Sequence, residues 1–139
     1  VSVTRADIIA AALSWLGTPF HDGACVKGAG VDCANFLIGA VSDAGLIERF
    51  KPDPYTPQWF LHRGEPIFLE TLARYAHEIP KESVEAADII MYKFGRQAAH
   101  GAIVIDAHTI IHAFKYAGCV CRSDRRQFAS RAHSYWSVF

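Results

Sequence analysis

Apolar residues recur at Ile8, Ile9, Ala12, Leu13 and Leu16, the one-face spacing of an amphipathic helix. Thr4 with Asp7 resembles a capping box ahead of that stripe, and Gly17 and Pro19 stop it, so a helix is expected over residues 4–15. The same spacing returns at Phe36, Leu37, Ala40, Val41 and Ala44, with Asp32 as N-cap and Gly45 as stop. A third stripe, Phe68, Leu69, Leu72 and Tyr75, predicts a helix over 65–76. Residues 20–31 and the proline-bearing stretch 51–57 read as loops.

The period then changes. Residues 88–94, 99–105 and 109–114 are short runs rich in Ile, Val and aromatics, separated by turn residues at Gly95, Asp106 and Gly118. Residues 119–122 and 134–139 read as further strands. Helices first and strands later predict an α+β fold, with N-terminal helices packed on an antiparallel sheet of about five strands. No internal repeat or low-complexity segment interrupts the chain, and 1–139 is expected to form a single domain.

Composition narrows the function. Half the chain is hydrophobic (51%), enough for a core without covalent staples. The four cysteines would allow two disulfides, but their spacing does not look like a small secreted framework. Cys119 and Cys121 share one face of a strand and are poorly placed to bridge each other. A formal net charge of zero argues against nucleic acid as partner. No apolar run reaches the ~20 residues of a membrane span. The N-terminus reads as an ordinary helix without the basic stretch and apolar core of a signal peptide, although the absence of an initiator Met leaves room for a removed leader. Seven histidines invite a zinc reading, but paired Cys-x-x-Cys spacing is missing, and no metal or cofactor is expected.

The chemistry concentrates at Cys33. Its segment, Gly28-Ala29-Gly30-Val31-Asp32-Cys33-Ala34-Asn35-Phe36, puts a thiol in the first turn of a helix. There the free N–H groups and the helix dipole favour negative charge, which predicts a lowered thiol pKa. A small buried core residue fits the position equally well. A nucleophilic cysteine needs a base and a group to orient it. His100 and His112 lie on two successive predicted strands. A two-residue loop at Asp106-Ala107 would put them on opposite faces. A three-residue loop centred on Asp106 would put them directly opposite each other on one face, and one centred on Ala107 would leave them diagonal on one face. Only the odd loops let one imidazole set the tautomer of the other.

With these residues in place, the chain resembles the NlpC-type cell-wall cysteine peptidases, a papain-like family of bacteria and their phages. Trp15-Leu16-Gly17-Thr18-Pro19-Phe20 is similar to the family's Leu-Gly-Thr-Pro-Tyr entry, and Val31-Asp32-Cys33-Ala34 to its Asp-Cys-Ser-Gly motif. Ala87-Asp88-Ile89-Ile90 resembles its Gly-Asp-Leu strand start. His100-Gly101-Ala102-Ile103 and Ile111-His112-Ala113 resemble its two histidine strands. The resemblance covers nearly the whole chain. It implies a papain-like fold, with Cys33 as nucleophile, His100 as general base and acid, and His112 as the orienting third residue. It also implies that Asp32 helps bind a substrate amine, and that Cys33 N–H donates to the oxyanion. The implied activity is hydrolysis of an amide in peptidoglycan stem peptides, by a thiol enzyme of the cell wall or periplasm.

Several positions depart from the family pattern. Ala34-Asn35 replaces Ser-Gly, and Phe20 replaces a tyrosine that lines the family's site, leaving His21 or Asp22 as candidate substitutes in substrate binding. Cys25 and Lys27 occupy a loop where the family carries Trp-Gly-Gly. These changes, with Tyr55, Trp59 and the ending Tyr135-Trp136-Ser137-Val138-Phe139, resemble the phage-tail branch. That branch implies peptidoglycan as target, phage-like tail proteins as partners and a tail particle as location. The alternatives are a thiol acyltransferase or amidohydrolase of the same fold, and a catalytically silent tail component. In the latter, Phe50, Tyr55, Trp59 and Phe60 would form a contact surface.

Overall fold

The Thr4 hydroxyl accepts from Asp7 N–H and the Asp7 carboxylate accepts from Thr4 N–H, closing the expected capping box. Helix α1 (Arg5–Leu13) follows in the computed structural model, which describes residues 2–52, 64–94 and 97–139. The loop after it is more ordered than its composition predicts. Strands β1 (Cys25–Val26) and β2 (Gly30–Val31) pair antiparallel within it. Helix α2 (Cys33–Asp43) and helix α3 (Gly64–Ala73) match the second and third stripes. Tyr55, Trp59, Phe60 and Gly95 lie outside the described residues.

Strands β3 (His77–Ile79), β4 (Ile89–Phe94), β5 (Gln97–Val104), β6 (Thr109–Phe114), β7 (Cys119–Asp124) and β8 (Ala132–Ser137) form one sheet in the order β3-β8-β4-β5-β6-β7, every pair antiparallel. The α+β reading with an antiparallel sheet therefore holds, with six strands in place of about five. The strand not foreseen, β3, has three residues, two of them polar, which is too short for a period of two to register.

The sheet alternates as a two-sided sheet must. Ile89, Met91, Ile103, Ile111, Ala113 and Val120 face the helices, where Ile8, Phe36, Leu37, Phe68 and Leu72 close the main core. Ile90, Tyr92, Ala102, Val104 and Ile110 face the other way and are packed by Phe94, Phe128 and Tyr135. Phe128 belongs to a 3-10 helix, Arg125–Arg131, that follows β7.

Two contacts fix the helices on this frame. Trp15 is fully buried and its indole N–H donates to Asp43 at 2.9 Å, joining α1's end to α2's end. The indole lies so close to Gly39 that a β-carbon there would come within 2.5 Å of Cζ2. At the other end of α1, Arg5 donates to the buried Asp88 carboxylate and to Ala86 C=O, both at 2.8 Å, holding the start of β4. That strand start also carries Ala87 at φ +76°, a left-handed conformation that costs about 1–2 kcal/mol for a residue with a β-carbon.

Candidate active site

Asp32 is the N-cap of α2, as the sequence predicts. Its backbone is extended, Oδ1 accepts from Asn35 N–H at 2.9 Å and from the Asn35 amide at 3.0 Å, and Oδ2 accepts from Gly23 N–H at 2.8 Å. One carboxylate thus caps the helix and ties down the preceding loop. Asp32 is 2% exposed, and this burial raises its pKa. Phe20 and His21 belong to the strip that pairs with Val31: Phe20 N–H donates to Gly118 C=O at 2.8 Å and His21 N–H to Val31 C=O at 3.1 Å. The Phe20 ring packs partly buried against the core, while His21 is exposed and rests against Gly30.

Cys33 is half-buried at the first position of α2. Its thiol differs from the sequence expectation of a lowered pKa. Burial pushes it up, and the Asp32 carboxylate pushes it further; the N–H groups of Ala34 and Cys33 pull in the expected direction but are outweighed. The helix-start effect is present, yet desolvation next to a carboxylate is larger, so the resting thiol is protonated.

The two histidines meet. His100 Nε2 lies 2.8 Å from His112 Nδ1, and both rings are buried. The hairpin that joins their strands pairs Ile103 with Ile111 and Val104 with Ile110, and Ile105 N–H donates to Thr109 C=O. This is a three-residue loop centred on Ala107, the diagonal same-face register. Asp106 closes the turn by accepting from His108 N–H at 2.8 Å.

The relay continues to a residue that the sequence reading missed. His112 Nε2 lies 2.8 Å from the Ser123 hydroxyl on β7. Ser123 pairs with Ile110 and Cys121 with His112, so Ser123 repeats the diagonal step on one face. The sequence reading ended this strand at Arg122, one residue short; continuing its alternation from Cys119 and Cys121 would have reached Ser123.

Aromatic rings enclose the pair. Phe114 stacks on His112 at 4.7 Å between centroids, Phe128 meets His112 edge-on at 5.5 Å, and Phe94 meets His100 edge-on at 5.3 Å. This dry setting lowers both histidines. Burial, with the neighbouring His112, holds His100 at about 3, and burial holds His112 at about 4. Both imidazoles are neutral at pH 7.

Neutrality restricts the tautomers. If His100 Nε2–H donates to His112 Nδ1, then His112 Nε2–H donates to Ser123, and His100 Nδ1 carries a free lone pair. The reverse order leaves His100 Nδ1 protonated and unable to take a proton. The helix bearing Cys33 packs on the strand bearing His100, through Leu37 against Gly101. Leu37 is one turn beyond Cys33 and Gly101 is next to His100. The imidazoles share the Tyr92 and Phe128 face of the sheet.

No family model matches the chain. A curated protein of Haemophilus influenzae named "Probable endopeptidase" is 27% identical over 126 residues, which cover 89% of this chain and 66% of that protein. The chain thus spans just under two thirds of the length of this relative. Among solved structures, the NlpC/p60 domain of the peptidoglycan hydrolase SagA superposes with a TM-score of 0.66 at 22% identity, covering 97% of this chain and 99% of that one. The peptidoglycan hydrolase RipB of Mycobacterium tuberculosis superposes with a TM-score of 0.65 at 19% identity, covering 96% and 63%. The chain has the papain-like fold of the NlpC/p60 domains.

Proposed function

We propose that this chain of NlpC/p60 fold is a cysteine peptidase that hydrolyses an amide bond in the stem peptides of peptidoglycan. The observation that carries the reading is the buried relay His100–His112–Ser123, with its 2.8 Å contacts. A relay of this kind can hold His100 in the tautomer a general base needs, besides satisfying the buried ring nitrogens.

In this mechanism Cys33 Sγ is the nucleophile and His100 Nδ1 the general base. Because thiol and imidazole are both neutral at rest, proton transfer from Sγ to Nδ1 accompanies attack on the amide carbonyl. His112 holds the imidazolium by accepting from Nε2–H. The tetrahedral oxyanion takes a hydrogen bond from Cys33 N–H at the start of α2. His100 then protonates the leaving amine, a thioester remains on Cys33, and His100 activates water to release the acid. Asp32 adds negative potential that favours a free amine on the substrate, and Phe20 and His21 line the approach.

The same reading places the enzyme in a phage-like tail particle that opens the cell wall, supported by the loop changes around Cys25 and Lys27 and by the ending Tyr135–Phe139. The rival reading, a silent structural component, is favoured by the burial of Cys33 beside the Asp32 carboxylate, which raises the thiol's pKa. Purified peptidoglycan incubated with the protein, with released fragments weighed by mass spectrometry, separates the two. Amide cleavage lost in Cys33→Ala and in His100→Ala is expected. Intact stems with reduced wild-type protein would overturn the peptidase reading.

A further inference from the structure

On the sheet face away from the helices, a cavity of about 130 Å3 opens beside the 3-10 helix that follows β7. Its lining includes Lys81, Tyr92, Arg125, Arg126 and Tyr135. Tyr92 is 1% exposed and its hydroxyl has no hydrogen-bond partner among the described residues. Such a group is rare in a native fold, because leaving a buried donor unmade costs about 1–3 kcal/mol. Burial pushes the phenol up to about 12, so it remains a donor, and the Arg125 guanidinium is close enough to act on it.

The charges around this phenol are unbalanced. Arg126 is neutralised by Asp124, through Nε to Oδ1 at 3.1 Å and Nη2 to Oδ2 at 2.9 Å. Lys81 and Arg125 have no carboxylate within ion-pair distance among the described residues. Arg125 is anchored by its backbone, whose N–H donates to His108 C=O at 2.8 Å. Two uncompensated cations therefore converge with one unpartnered hydroxyl donor on a single recess.

We propose that this recess binds a phosphate group, with Lys81 and Arg125 supplying its counter-charge and the Tyr92 hydroxyl donating to one oxygen. A phosphate dianion matches the two cations in charge, and its oxygens accept from several directions at once, which a single carboxylate does less well. Neither Cys33 nor the two histidines line the recess, although the Tyr92 ring lies beside His100, 6.3 Å between centroids; phosphate binding is read out without any peptidase activity. Its mouth is formed by exposed residues, Lys81, Ala107 and Ala129, so a phosphate that carries a substituent fits as well as the free ion.

The test is an NMR titration of the wild-type protein with inorganic phosphate, following the backbone amides of Ala107, Ala129 and Ala132. Saturable shifts confined to these lining residues are expected. Arg125→Gln and Lys81→Gln should each weaken binding about tenfold, and Tyr92→Phe, which keeps the ring, about fivefold. Methyl phosphate binding as tightly as phosphate would identify a phosphorylated molecule as the ligand; preference for inorganic phosphate would identify the free ion. Acetate binding as tightly as phosphate would overturn the assignment, as would phosphate binding unchanged in both Tyr92→Phe and Arg125→Gln.

Discussion

Leu37 and Gly101 leave no room between them: a β-carbon at Gly101 would come within 2.7 Å of Leu37 Cδ1 and 3.1 Å of the Met91 sulfur. This close approach sets the height of α2, which begins at Cys33, above β5, the strand that carries His100. Gly101→Ala would force α2 outward or Leu37 off its rotamer, at about 1–3 kcal/mol of stability. If Cys33 on the displaced helix is the nucleophile proposed above, kcat should fall more than the stability loss explains, with KM little changed. Denaturant unfolding beside peptide-cleavage kinetics checks this; unchanged kcat in a destabilised variant would uncouple the contact from the site.

The buried histidine pair makes stability depend on pH in one direction. Both pKa values are lowered on folding from about 6.5, to about 3 for His100 and about 4 for His112. Below 6.5 the unfolded chain binds protons that the folded chain refuses, so stability falls as pH drops from 6.5 towards 4 and on towards 3. Urea midpoints across that range should decline, and His112→Gln should flatten the decline. A midpoint that holds steady from pH 7 to 4 in the wild type would contradict burial of neutral imidazoles.

Much of this arrangement is legible in the sequence because it is local. The stripe at Phe36, Leu37, Ala40 and Val41 needs only a period of 3.6 to place Cys33 at a helix start, and Asp32 caps it as read. The histidine hairpin is legible to within its alternatives, since a three-residue turn and a two-residue turn differ by one position in register. What the sequence could not show depends on distant packing. Cys33's desolvation comes from its packing against the core, and Ser123 joins the relay only because β7 runs past Arg122. The lone β3 strand exists because β8 offers it an edge, which is a tertiary effect.

The protonated resting thiol leads to a labelling experiment. Brief iodoacetamide treatment at pH 7, followed by peptide mapping, should modify Cys33 slowly, and the rate should climb as pH rises towards 10, because the thiolate is the reactive form. A preformed thiolate–imidazolium pair would instead react fast and evenly from pH 6 to 8. That outcome would replace concerted proton transfer with an ion-pair mechanism, while leaving the same residues in place.

Asp32→Asn separates three roles carried by one carboxylate. Asn is as good an N-cap as Asp, so Asn35 N–H keeps its acceptor. The second oxygen becomes an NH2 group facing Gly23 N–H, a donor against a donor, at a cost of about 1–3 kcal/mol. The lost charge also removes one of the three influences that raise the Cys33 pKa, the others being burial and the Asp22 carboxylate, so Cys33 should alkylate faster at neutral pH than in the wild type. If Asp32 also attracts a substrate amine, kcat/KM should fall more for stem peptides with a free amino end than for blocked ones, despite the more reactive thiol. Faster alkylation with equal effects on both substrates would confine Asp32 to the cap and the thiol's electrostatics. Unchanged alkylation would show that burial, with the Asp22 carboxylate, holds Cys33 protonated without help from Asp32.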